Sequence, residues 1–179
     1  VPQYVRSVAV SPDSKMIASC DISEVKVWNV KNGKCMTTWN GGADRSNNTG
    51  YSVSFSPDGK IIASGSGRGG SGVVKLWDVQ SGKSIKKLTG HSDLVYAISF
   101  STNGKMLASG SYDNTVKLWD VQSGKCIKTL THSDPVRAVC FHPKLIKILA
   151  SSSYSMVKLW DVQSGKCIKT LTGHSSLVH

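Results

Sequence analysis

Long apolar runs are missing from this 179-residue chain. No stretch approaches the roughly 18 consecutive apolar residues of a membrane-spanning helix, and no signal-peptide pattern opens it, so membrane insertion is not expected. The first residue is Val1 rather than Met, as in a processed or excised piece. No 3.6-residue apolar stripe survives the Gly, Asn and Asp that punctuate the chain every eight to twelve residues, which excludes a helical repeat. No C-x-x-C spacing occurs among Cys20, Cys35, Cys126, Cys140 and Cys167, which removes the usual zinc ligand sets. Cys35, Cys126 and Cys167 share one position in successive copies of a repeat, too regular for a disulfide framework. Reduced thiols in a cytoplasmic protein are expected. The sequon at Asn47–Thr49 lacks a secretory context and carries no weight. Acidic residues are scarce, 11 against 22 Lys and Arg, giving a net charge of +11.

What is present is repetition. "VKLWDVQSGKCIKTLT" begins at Val116 and again at Val157, and "VKLWDVQSGKSIKKLT" begins at Val74. Four units are marked by Trp28, Trp77, Trp119 and Trp160, at spacings of 49, 42 and 41. A period near 40–45 residues with a Trp-Asp pair is that of four-stranded propeller blades. The third unit shows the grammar: "VYAISFS", "MLASGS", "TVKLWDV" and "CIKTLT" alternate as strands, separated by the turns "TNGK", "YDN" and "QSGK". A sheet of this kind cannot cover both of its faces alone, so the units must stack.

These residues resemble the WD-repeat family over essentially the whole chain. The carriers are Trp77–Asp78, Trp119–Asp120 and Trp160–Asp161, weakened to Trp28–Asn29, with "GH" at Gly90–His91 and Gly173–His174 and "SPDGK" at Ser56–Lys60. The resemblance implies an all-β fold of β-propeller blades. The blades fall at approximately 1–46, 47–91, 92–132 and 133–174, with 175–179 starting a fifth repeat. The near-identity of units two to four is similar to prokaryotic WD-repeat arrays. Family rings hold about seven blades, so four predict a fragment of a longer array. The four would form an open arc, or half of an eight-bladed ring closed by a second copy. The resemblance also implies a structural tetrad, complete only in unit three: His91, Ser109 (or Ser111), Asp113 and Trp119. Unit four keeps His132, Ser151 and Trp160 without an Asp, and unit one lacks its His, so unit three should be the stiffest.

Catalytic motifs fail one by one. No G-x-S-x-G elbow precedes a helix, and the recurring histidines have a structural duty. His142 stands where other units have Ser11, Ser56 and Ser101, and reads as a turn residue. "SGKS" at Ser81–Ser84 lacks the first Gly and the helix of a phosphate-binding loop. "GSGRGGSG" at Gly65–Gly72 reads as an enlarged hairpin turn. No metal or cofactor is expected, and no enzyme activity.

The charge is distributed by face. All eighteen lysines fall on strands or on turns of one face, the bottom, where outer-strand Lys also guards a sheet edge. All four arginines and all five tyrosines fall at positions of the opposite, top face. Nucleic-acid binding needs aromatics interleaved with the basic residues, and here they are separated. Arg6, Tyr51, Tyr96 and Arg137 occupy one equivalent position just inside the first strand of each unit, and Tyr112 and Tyr154 lie in the second top turn. His179 stands at that same position in the incipient fifth unit. Large, varying side chains in a copied frame point to a docking surface for a protein or peptide, since Arg and Tyr dominate interface hot spots. The competing reading is a basic surface for nucleic acid or acidic lipid. Apolar residues on the two end faces, Val8, Val10, Ile17 and Val27 in unit one and Val157 and Leu159 in unit four, predict self-association of the isolated chain.

Overall fold

The computed structural model describes residues 4–21, 23–40, 49–68 and 70–174, with only the backbone of residues 40 and 49–51. The fifth-repeat segment, His179 included, together with Asp44, Arg45 and the sequon asparagines, lies outside the described residues. Among the described residues sixteen strands form four antiparallel sheets, each a meander of four consecutive strands. The first holds β1 (Ser7–Val10), β2 (Met16–Cys20), β3 (Glu24–Asn29) and β4 (Cys35–Asn40). The second holds β5 (Thr49–Phe55), β6 (Ile61–Arg68), β7 (Ser71–Asp78) and β8 (Ser84–His91). The third holds β9 (Val95–Phe100), β10 (Met106–Ser111), β11 (Thr115–Asp120) and β12 (Cys126–Thr131). The fourth holds β13 (Val136–Phe141), β14 (Ile148–Ser153), β15 (Met156–Asp161) and β16 (Cys167–Thr172).

Strand alternation gives each sheet two apolar faces of different composition. One face shows Ala, Val and Leu, as at Ala108, Val116, Leu118 and Leu130; the other shows Phe, Leu and Trp, as at Phe100, Leu107 and Trp119. Unlike faces meet. Ala63, Val74, Leu76 and Leu88 of the second sheet pack on Phe100, Leu107 and Trp119 of the third. Equivalent clusters join the first sheet to the second and the third to the fourth. The strands β1, β5, β9 and β13 lie next to one another in that order, along the inner edge of the stack. Serines sew this edge: Ser7 Oγ accepts the Val53 amide at 3.3 Å, Ser52 Oγ that of Ile98 at 3.1 Å, and Ser99 Oγ that of Phe141 at 3.2 Å.

Size is matched across the interfaces. A Cβ on Gly110 would stand 2.6 Å from Val136 Cγ1, and one on Gly65 2.8 Å from Val95 Cγ1. In the first pair of sheets the order is exchanged, with Cys20 at the Gly position and Gly50 at the Val position. Burial pushes the Cys20 thiol up to about 12, which makes it an inert core residue.

The "GSGRGGSG" stretch is not an enlarged turn. The ladder continues through Ser66–Val73, Gly67–Gly72 and Arg68–Ser71, so β6 and β7 are lengthened and only two residues separate them. The glycines serve a close approach instead: a Cβ on Gly72 would strike the Asp93 carbonyl, and one on Gly67 would lie 2.9 Å from Leu94 Cα.

The stack is open. Val8 and Val10 on the first sheet are 65% and 59% exposed, whereas Val27, expected on the same end face, points to the other side and is buried against the second sheet. Val157 and Leu159 of the fourth sheet are partly exposed, whereas their copies Val116 and Leu118 are buried beneath it. The same letter therefore has two energies. Leu118→Ala should cost about 3 kcal/mol through transfer and cavity terms, and Leu159→Ala about a third of that; the shift in urea midpoint measures both. Only the second and third sheets are covered on both faces. Amide exchange should be slowest from Ser109 to Trp119 and fastest before about Trp39, and uniform protection would contradict the open stack.

Candidate interaction surface

Buried polar chains hold the frame on which the surface sits. In the third sheet Trp119 Nε1 donates to Ser109 Oγ at 2.8 Å, Ser109 Oγ lies 2.7 Å from His91 Nε2, and His91 Nδ1 lies 2.8 Å from Asp113 Oδ2. All three bonds can be satisfied in one direction, from indole to carboxylate. Ser111 is outside this chain: it donates to the Asp93 carbonyl at 2.9 Å. His91 ends β8 of the second sheet, so the chain clamps two neighbouring sheets together. Burial pushes the Asp113 carboxyl up, but hydrogen bonds from His91 and Thr115 outweigh it and hold the group far below the usual range.

The connectivity Ser109–His91–Asp113 is that of a hydrolytic triad, yet it has no nucleophile. Ser109 is fully buried and its oxygen already accepts the Trp119 N–H. A substrate carbonyl has no path to it.

The fourth sheet repeats the chain with a neutral end. Trp160 Nε1 donates to Ser151 Oγ at 2.7 Å, which lies 2.7 Å from His132 Nε2, and His132 Nδ1 meets Ser153 Oγ at 2.9 Å. Ser153 is the partner that sequence reasoning missed, although it stands at the position of Ser66 and Ser111. Without a carboxylate, burial lowers His132 to about 4, helped by the nearby Lys158 charge. The second sheet keeps Trp77 Nε1 to Ser64 Oγ at 2.8 Å, and Trp39 stacks on Trp77 at 5.2 Å between centroids. The first keeps Trp28 Nε1 to Ser19 Oγ at 2.8 Å.

The Asp that follows each Trp caps a turn. Asp78 Oδ1 accepts the Ser81 hydroxyl and amide at 2.6 and 2.7 Å, and Asp120 and Asp161 accept the amides of Ser123 and Ser164 at 2.6 Å. Hydrogen bonds from these serines hold the three exposed carboxyls below their usual range. His142 likewise serves its turn, accepting the amides of Lys144 and Leu145 on Nδ1 at 3.1 and 3.0 Å.

Two comparisons place this architecture. The family model described as "IFT122 first beta-propeller" matches residues 49–179, and "WD domain, G-beta repeat" matches residues 2–29. The chain belongs to the WD-repeat β-propeller family. Among curated proteins, this WD-repeat chain is 34% identical over 90 residues to Pre-mRNA-processing factor 19 homolog 2 of Arabidopsis thaliana, covering 49% of the chain and 16% of that protein. It is 30% identical over 85 residues to Mitogen-activated protein kinase kinase kinase A of Dictyostelium discoideum, covering 47% of the chain and 8% of that protein. The matches thus span a minor part of these relatives. Membership supports a protein-interaction scaffold in general terms.

On the top face of this WD-repeat stack, three of the sequence-predicted residues converge. Arg137 Cζ lies 4.3 Å from the Tyr96 ring centroid and 5.6 Å from that of Tyr112, and the two tyrosine rings are 6.0 Å apart. Each of Tyr96 and Arg137 occupies a β-bulge: Val95 pairs with Ser111 and Ala97 with Gly110, while Val136 pairs with Ser153 and Ala138 with Ser152. Residue 51 sits at the same bulge of β5, though its side chain lies outside the described residues. A bulge frees the side chain from the pleat and re-aims it, as at many binding sites. Tyr112 is pinned by its amide to the Leu94 carbonyl at 2.8 Å and is 43% exposed. Tyr154 is exposed with a left-handed φ of 38°, and Arg6 is exposed just ahead of β1.

The bottom face is different. A hollow of about 660 Å³ opens there between the second and third sheets, lined by the turns at Ser56–Asp58 and Thr102–Lys105 and by Asp120–Gln122. Its polar groups are spent within the turns: Ser56 Oγ donates to Asp58 at 2.6 Å and Lys86 Nζ donates to the Gln122 carbonyl at 2.5 Å. Among the described residues no group of three or more His, Cys, Asp or Glu could hold a metal ion, and all five cysteines are free.

The neutral end of the His132 chain has a pH consequence. Its folded value, near 4, lies below the ordinary 6.5, so the unfolded state takes the proton first. The stability it contributes is complete above pH 6.5 and is lost as pH falls toward 4. Ser153→Asp supplies a carboxylate and should raise the His132 value in an NMR titration. The urea midpoint should then fall less between pH 7.5 and pH 5 than it does in the parent chain.

Proposed function

We propose that this chain is a non-enzymatic interaction scaffold that docks a protein or peptide on its top face, at Tyr96, Tyr112 and Arg137, with Arg6, residue 51 and Tyr154 extending the surface. The carrying observation is that the letters which vary between copied units are those that the bulges lift out of the pleat. A guanidinium stacked on two rings is held with little rotamer freedom left to lose, which lowers the cost of ordering it on binding. Its edge still offers N–H donors to a carboxylate or carbonyl of the partner. The five free thiols support a reducing compartment such as the cytoplasm.

A basic surface for nucleic acid or acidic lipid is the second reading, drawn from the net charge of +11. One lysine is charge-paired, Lys26 Nζ lying 3.0 Å from Glu24 Oε2, and the basic surface as a whole stays charged. The end faces add a third association, of the isolated chain with itself, that light scattering reads as a mass above the monomer.

Replacing Tyr96 and Arg137 together with Ala should weaken a captured partner by about 2 kcal/mol or more, roughly thirtyfold, with the circular dichroism unchanged. Undiminished binding would move the site off the top face. Affinity that instead falls steeply between low and moderate salt, as counterion release requires, would favour the anionic partner.

A further inference from the structure

One turn of the bottom face breaks the pattern of the other three. In the first three units a Ser hydroxyl donates to an Asp or Asn two residues on: Ser11 to Asp13 and Ser56 to Asp58 at 2.6 Å, and Ser101 to Asn103 at 2.8 Å. The same hydroxyls accept the amides of Met16, Ile61 and Met106, each at 2.9 Å. These turns are polar and self-satisfied. In the fourth unit the segment reads "HPKLIK", one residue longer, with Lys144 where the others carry Asp or Asn. The turn closes on His142 Nδ1, and Leu145 and Ile146 are left 56% and 37% exposed. The scaffold needs neither side chain, because three sister turns form without them.

Leu145 and Ile146 are not scattered surface residues. They line two adjoining hollows of about 360 and 300 Å³ that share Ile146 and Lys147. Ile127, Met106 and buried Val162 form an apolar wall of the second hollow. Lys144, Lys147 and Lys128 line the same hollows. The one carboxylate among the lining residues, Asp161, is bonded to the Ser164 amide at 2.6 Å and lies near Lys147. An apolar floor with a cationic rim is complementary to apolar side chains flanked by acids.

We propose that these paired hollows dock a peptide segment of a partner protein, carrying two apolar side chains with carboxylates beside them. The site lies on the face opposite the Tyr–Arg cluster and is independent of it. Its concavity favours a peptide over a lipid surface, into which apolar side chains must protrude. Its lack of aromatic and arginine side chains disfavours single-stranded nucleic acid, whose bases need stacking platforms.

The test titrates the isotope-labelled chain with synthetic peptides about ten residues long. One set pairs two leucines two or three positions apart among glutamates, and a matched set carries lysine for glutamate. Acidic peptides should shift the amides of Ile127, Leu145, Ile146 and Val162, and the lysine set should not. Leu145→Ser and Ile146→Ser, with the rest of the amide spectrum unchanged, should each weaken binding about tenfold. Tyr96→Ala with Arg137→Ala should leave it unaltered, which separates this site from the top-face reading. The proposal is overturned if no acidic peptide shifts these amides, or if Ile146→Ser leaves affinity intact. It is equally overturned if the two serine substitutions abolish binding to phosphatidylserine vesicles or single-stranded DNA while acidic peptides fail to bind.

Discussion

A four-stranded sheet that is apolar on both faces cannot stand alone in water, and every other feature of this chain answers that constraint. Each sheet must find a neighbour, and the neighbour must offer the opposite face, because Phe100, Leu107 and Trp119 fit against Ala63, Val74 and Leu76 rather than against another set of aromatics. Stacking of unlike faces is directional. It makes the array polar from first sheet to last, and it lets one unit be copied without redesign, since every copy carries both halves of the joint. The joint pairs a small residue with a larger one, Gly110 against Val136 and Gly65 against Val95, and the first unit carries Cys20 where the second and third carry that glycine.

The polar chains solve a second problem created by the first. Burying a Trp at the joint buries its N–H, and an unbonded indole N–H costs desolvation energy. A serine on the adjacent strand accepts it in the second, third and fourth sheets, at Ser64, Ser109 and Ser151. Half-buried Trp28 of the first sheet keeps the same bond to Ser19, whereas the N–H of Trp39, buried at the first joint, has no such partner. Histidine then continues the chain across the joint in two of them, ending on a carboxylate at Asp113 or a hydroxyl at Ser153. The Trp–Ser pair is therefore the constant part, and the His with its terminal acceptor is an added clamp. Where the His is missing, stacking of Trp39 on Trp77 occupies the joint between the first and second sheets.

Much of this was readable from the letters, because repetition aligns the chain with itself. The tryptophan spacing located the four units, and variation at Tyr96 and Arg137 within copied surroundings singled out the positions proposed for docking. The glycines of Gly65–Gly72 misled, since glycine signals a turn and a close backbone approach with the same letter, and only the position of Asp93 and Leu94 tells them apart. The bulges left no mark in composition. They are backbone irregularities of register, visible only once Gly110 and Ser111 are seen to pair with residues flanking Tyr96. The grouping of Arg137 with Tyr112 was illegible for a different reason, as it depends on how two neighbouring sheets are stacked. Leu145 and Ile146 did carry a signal, two apolar letters in a turn otherwise built from Asp or Asn followed by Gly or Ser, and it was their exposure that gave it meaning.

The recurring bulge has an evolutionary side. A residue that pairs with nothing in the ladder contributes little to the sheet's own stability, so its identity is nearly free of selection for folding. Tyr96 and Arg137 stand at such positions, and so does residue 51. Every duplication of the unit consequently adds one more position at which the residue can vary without disturbing the ladder. On the proposed reading, each added copy brings one more recognition position within an unchanged frame.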